Sequence, residues 1–212
     1  MTAPTFSPTF RDDLADLLAW RRDVRHFRPG PLEEDVVADL LATAQFAPSV
    51  GNSQPWRFVR IRSADLRAQL SRHADAEVAR AGATYEGERH AAYAALKLHG
   101  LDHAPEIISV FCDEATPIGM GLGAATMPQT REWSVVMAIH TLWLAARARG
   151  FGLGWVSIVS PDFVTDLLET PPSWRFVALL CLGEPQEPDV VPELERRGWQ
   201  ARLDGSEHVS SR

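Results

Sequence analysis

From Glu33 to Ala47 the apolar residues Val36, Val37, Leu40, Leu41, Ala44 and Ala47 return every three or four positions, the spacing of one buried helix face. Pro31 ahead of this run and Pro48 behind it bracket the helix. The period then changes. Arg57–Arg62, "RFVRIR", alternates polar with apolar residues and predicts a half-buried strand. Further strands are predicted at Glu106–Cys112 ("EIISVFC"), Gly154–Val159 ("GWVSIV") and Phe176–Gly183 ("FVALLCLG"). Residues 64–98, rich in Ala, Arg and Glu, predict helix with an interruption around "RAGATYEGE". Ser160 as N-cap with Pro161 behind it starts a short helix through "DFVTDLLE". A long helix runs from about Glu132 to Arg149, stopped by Gly150.

That long helix is apolar around most of its circumference, through Val135, Val136, Met137, Ile139, Leu142, Trp143 and Leu144. It must be covered on most sides, and a homodimer interface is the expected cover in a chain of 212 residues. No internal repeat and no linker interrupts the chain. One α+β domain spanning 1–212 is expected, with ends fraying at about 1–12 and 204–212.

Composition narrows the functional classes. The net charge of −7 argues against a nucleic-acid binder, which needs a broad basic face. The longest apolar stretch, "VVMAIHTLWLAA", is too short to cross a bilayer, and no secretory h-region opens the chain. Cys112 and Cys181 sit in apolar runs with no metal-type spacing. A reduced, cytoplasmic protein without membrane contact is expected.

Against this acidic background "WRRDVRHFRPGPL" (Trp20–Leu32) is an arginine island. Guanidinium forks match the oxygens of a phosphate, so an island suits a small anionic ligand. Asp23 inside it is either an ion-pair partner or a group that acts on what the arginines hold. "APSVGNSQPW" (Ala47–Trp56) joins a helix to a strand and sets Ser49, Asn52, Ser53 and Gln54 on a turn. That array suits the polar edge of a flat heterocycle, and equally an ordinary polar turn. "GLGWVSI" (Gly152–Ile158) puts two glycines at a strand start, where a ligand can approach the backbone. His99 and His103 lie four apart, but Gly100 and Pro105 weaken a helix there and no third ligand is evident; no metal is expected. "GMGLGA" lacks the strand, helix and acid that a dinucleotide fingerprint needs.

Taken together, "RRDVRHF", "APSVGNSQPW" and "GLGWVSI" resemble the flavin-dependent nitroreductase superfamily in order and spacing. Within it the chain most resembles the 5,6-dimethylbenzimidazole synthase family. The marks are the Asp inside the arginine motif, "LKLHGLDHAP", and "TMPQTREWSVVMAIHTLWLAARARGFGLGWVSI". The likeness runs from about Leu17 to Leu203.

The resemblance implies a mixed sheet flanked by helices and an intertwined homodimer with FMN at the subunit interface. It implies that Arg21, Arg22 and Arg25 hold the ribityl phosphate and chain, with Arg202 closing on the phosphate. Ser49 and Gln54 would meet the flavin from the partner subunit. Leu153, Gly154 and Ser157 would line the ring, under a lid at about 75–100 that includes Leu98. The implied reaction is oxygen-dependent fragmentation of reduced FMN to 5,6-dimethylbenzimidazole, the lower ligand of cobalamin, and erythrose 4-phosphate. Asp23 and Ser157 are the implied catalytic residues, and a flavin reductase the implied source of reduced FMN. The alternatives are an NAD(P)H-dependent FMN nitroreductase or flavin reductase, and a non-enzymatic flavin carrier.

Overall fold

A computed structural model describes residues 3–203 and 205–211. Four strands form one sheet: β1 (Trp56–Arg60), β2 (Glu106–Asp113), β3 (Gly152–Val156) and β4 (Trp174–Gly183). Their order is β1-β2-β4-β3, and every pairing is antiparallel. The mixed sheet implied by the resemblance is thus corrected: among the described residues its parallel component shrinks to one isolated bridge, Asp23 to Leu153. A single rung forms there because the chain around Asp23 lies beside β3 only briefly.

Helices cover both faces. Along β2, Ile108, Val110 and Cys112 point to one side with Leu180 and Leu182 of β4, beneath α2 (Glu34–Ala44) and α5 (Thr130–Ala148). The alternate residues Ile107 and Phe111 point to the other side with Leu179 and Cys181, against α3 (Ala64–Gly82) and α6 (Pro161–Leu167). Both thiols are buried and unpaired.

The interrupted helix expected over 64–98 resolves into α3 and a short α4 (Gly87–Ala94), parted at Ala83–Glu86. The third strand begins and ends earlier than its sequence pattern suggests, which leaves Ser157 just beyond it. A helix that no periodicity argument anticipated, α1 (Pro8–Trp20), begins inside the segment expected to fray. Its start carries the same Ser-Pro signal as α6, with the Ser7 hydroxyl accepting from the Phe10 N–H at 3.1 Å. Of the expected frayed ends, residues 1, 2, 204 and 212 lie outside the described residues.

α5 buries Ser134, Val135, Ala138, Ile139, Leu142 and Ala146 but exposes Trp133, Val136, Met137 and His140 on the opposite side. α1 buries none of its residues and exposes Phe10, Leu14 and Leu18, each four apart.

Residues 21–28, here termed the arm, close the free edge of β3. Val24 N–H donates to the Leu153 carbonyl at 3.1 Å, and Arg28 N–H to the Glu184 carbonyl at 2.8 Å. A Cβ on Gly154 would fall on the Val24 carbonyl oxygen, well inside van der Waals contact. The arm itself therefore occupies the space that this glycine leaves open. Gly154→Ala is expected to destabilise the protein by about 2 kcal/mol through overpacking, lowering Tm by roughly 5 °C in a thermal melt. An unchanged Tm would mean that the arm does not pack there.

Candidate functional site

The arm sets one carboxylate against the edge of β3. Asp23 Oδ1 accepts the Trp155 N–H at 2.7 Å, and Oδ2 accepts Arg25 Nε at 2.9 Å. The side chain is 28% exposed, and each oxygen keeps a free lone pair for a further partner. Burial pushes the Asp23 pKa above the ordinary carboxylate value, against the pull of Arg25 and of the Trp155 N–H. A carboxyl so placed holds a proton at higher pH than a solvated aspartate does.

The arginines divide by role. Arg25 turns inward: besides Asp23, its Nη1 donates to the Lys97 carbonyl at 3.0 Å, and its side chain is only 14% exposed. It ties Asp23 and the arm to the Lys97 carbonyl, in the segment after α4. Arg22 donates through Nε (2.7 Å) and Nη2 to the Val190 carbonyl. Its pKa is lowered by burial first, then by the nearby positive charges of Arg202 and Arg21, with Asp189 and Glu195 opposing. Arg21, Arg22 and Arg202 therefore crowd one region with like charge, which an anion would relieve. The Arg21 guanidinium lies 5.0 Å over the Trp143 ring, and Trp143 Nε1 donates to the Arg22 carbonyl at 3.1 Å.

Beside the arm is a cleft of about 230 Å³ whose walls include Trp20, Arg22, Asp23, Trp143, Phe151 and Leu153. Sequence reasoning missed Trp20 and Trp143 as site residues. Trp143 counted there as one more apolar position on α5, and nothing in a helical period says which apolar face meets an arginine. Residues 185–197 also wall the cleft. Their proline-rich "PQEPDVVPELERR" has no periodicity to read.

Ser157 is exposed, two residues beyond Trp155, so its hydroxyl lies on the same stretch of chain that holds Asp23. Leu98 is half-buried in the segment after α4. Next to it His99 is buried, with Nε2 3.0 Å from Asp75 Oδ1.

Ser49 and Gln54 are elsewhere. Their turn is strained: Gly51, Asn52 and Gln54 have φ of 55°, 53° and 45°. The Ser49 hydroxyl accepts the Gln54 N–H at 3.1 Å, and Val50 N–H donates to Ser134 Oγ at 3.0 Å, near the start of α5. Trp143, under Arg21, lies toward the other end of that helix. Register gives the same answer. Trp56 pairs with Cys112, which pairs with Arg175; Leu153 pairs with Leu182, which pairs with Glu106. The turn and the arm thus occupy diagonal corners of the sheet, roughly 25 Å apart by strand spacing and rise. Within one chain the two groups of site residues do not meet.

Residues 18–184 match the Nitroreductase family. A 5,6-dimethylbenzimidazole synthase of Rhodospirillum rubrum is 59% identical over 201 residues, covering 95% of each chain. One from Rhodobacter capsulatus is 52% identical over 198 residues, covering 93% of this chain and 96% of that one. The crystal structure of oxidized iodotyrosine deiodinase bound to FMN and 3-iodo-L-tyrosine superposes with a TM-score of 0.70 at 26% identity, covering 83% of this chain and 91% of that one. The family match over residues 18–184 and relatives more than half identical along nearly the whole length place the chain: it belongs to the nitroreductase family.

Proposed function

We propose that this protein is a 5,6-dimethylbenzimidazole synthase, which converts reduced FMN and dioxygen to 5,6-dimethylbenzimidazole and erythrose 4-phosphate. The observation that carries the reading is the part-buried Asp23 carboxyl, its pKa raised, seated beside crowded arginines at the edge of β3. The residues fit FMN. Arg21, Arg22 and Arg202 provide the charge for its phosphate, and Trp143, Phe151 and Leu153 are apolar surfaces of the adjoining cleft.

Bound reduced FMN supplies the electrons for dioxygen and the carbon skeleton of the benzimidazole. The chain supplies the rest. Arg21, Arg22 and Arg202 hold the phosphate. Asp23 takes and returns protons at its carboxylate oxygens, with Arg25 and the Trp155 N–H fixing its orientation. Ser157, exposed two residues beyond Trp155, offers a hydroxyl to the same reaction. Residues 75–100 act as the lid that excludes water, with Leu98 as its proposed flavin contact and the Lys97 carbonyl fastened to Arg25. An NAD(P)H-dependent flavin reductase provides the reduced FMN.

A second copy of the chain completes the site. The separation of the Ser49–Gln54 turn from the arm calls for it, and the exposed Trp133, Val136 and Met137 on α5 provide an apolar face to pair. A two-fold axis then brings one chain's turn to the other chain's arm.

Asp23→Asn keeps an acceptor for the Trp155 N–H but cannot carry the proton. It is expected to slow benzimidazole formation by at least about 100-fold, measured by admitting air to protein loaded anaerobically with reduced FMN and quantifying products by mass spectrometry. Native-rate product from this variant would remove Asp23 from the chemistry. Intact FMN with hydrogen peroxide from the wild type would instead favour a flavin reductase.

Arg21→Ala and Gln54→Ala are each expected to be impaired alone. Co-expressed, they should recover about a quarter of wild-type activity, because a mixed two-fold dimer contains one site with neither change. No recovery would mean that both residues serve one chain's site.

Asp23 also shapes stability. Its raised pKa means that the folded state keeps the proton longer than the unfolded chain. The contribution is full below about pH 4 and is lost as pH rises through the folded value. Denaturant titrations should therefore show the stability of Asp23→Asn relative to wild type growing from pH 4 to 7. A constant difference would contradict the raised pKa.

A further inference from the structure

Beyond β4 the chain runs back across the arm and onto the lid, fastened at each stage. Gln186 N–H donates to the His26 carbonyl at 3.1 Å, and Gln186 Nε2 to the Phe27 carbonyl at 2.8 Å. Arg22 grips the Val190 carbonyl, and Glu193 Oε1 lies 3.6 Å from His26 Nε2. After the short α7 (Glu193–Arg196) the chain reverses at Gly198, whose φ is 70°, and the Trp199 N–H donates to the Leu194 carbonyl at 2.8 Å. The reversal carries the Trp199 ring onto the lid. It stands edge-on to Tyr85 at 5.6 Å, packs against Tyr93 at 6.0 Å, and lies under the Arg89 guanidinium at 5.1 Å.

These contacts matter because α4 has little else. Tyr93 is its one buried residue, and the Tyr93 hydroxyl is buried without a partner. What holds Tyr93 is the aromatic trio with Tyr85, 5.0 Å away, and Trp199. The glycine at position 82 permits this seat, since a Cβ there would come within 3.1 Å of the Tyr93 ring.

We propose that Trp199 is a positioning residue that latches the lid, and that residues 185–200 form a strap through which the arginine arm and α4 open and close together. The strap has one end on Arg22, assigned above to the phosphate, and the other on α4. Displacing it at either end loosens the other. Ligand entry thus requires release of the Trp199 ring, and its return encloses the site. The link to FMN rests on the function proposed above; the latch itself does not, since its contacts are all made within the chain.

The test is hydrogen–deuterium exchange on the flavin-free full chain, followed by product analysis. Trp199→Ala is expected to speed exchange across residues 83–98 about tenfold, leaving β2 and β4 protected. Trp199→Phe, which keeps a ring, should restore most of the protection. With reduced FMN and air, Trp199→Ala should divert product from benzimidazole to hydrogen peroxide while Trp199→Phe diverts less. Unchanged exchange over 83–98, or an equal rise throughout the sheet, would overturn the latch. So would faster lid exchange with an unchanged ratio of benzimidazole to peroxide. If even the wild type makes no benzimidazole, the functional reading falls and exchange alone judges the latch.

Discussion

The site depends on a sheet edge that is filled by the chain's own arm. β3 lies at the margin of the sheet, with its outward backbone groups unpaired by any strand. The Leu153 carbonyl takes the Val24 N–H, and the Trp155 N–H goes to the Asp23 carboxylate instead of to another carbonyl. A side chain thus substitutes for a rung of the ladder. Satisfying a backbone donor and orienting an acid become one interaction, and the cost of holding a carboxylate in a part-buried place is offset by a bond that the edge needed anyway.

An acid inside an arginine island has a simple physical resolution. The arginines at 21, 22 and 25 are not equivalent: Arg25 turns toward Asp23 and Lys97, whereas Arg21 and Arg22 stay with Arg202. One guanidinium is spent on the carboxylate while the other two stay crowded with like charge, as the proposed anion site requires.

Sequence made much of the scaffold legible because its signals are local. The short apolar runs "EIISVFC" and "FVALLCLG" placed β2 and β4, and the all-round apolar "SVVMAIHTLWLAA" placed α5. Asp23 stood out by charge alone. The direction of Arg25, the partner of Gly154 and the role of Trp143 all depend on which segments meet across more than a hundred residues, and no periodicity records that. The glycines of "GLGWV" look like room for a ligand, yet they make room for Val24. α1 begins within "MTAPTFSPTF", whose Ser and Pro read as a fraying tail, although Phe10, Leu14 and Leu18 recur at helical spacing along it.

The two cysteines bear on durability. Burial pushes the thiols of Cys112 and Cys181 up to about 12, so neither offers a thiolate near neutral pH. Oxidants such as hydrogen peroxide attack the thiolate and spare the protonated thiol. The proposed reaction brings reduced flavin and oxygen together and would release such an oxidant whenever a cycle misfires. Both sulfurs are sealed in the sheet, so neither thiol of this fold lies open to that route of inactivation.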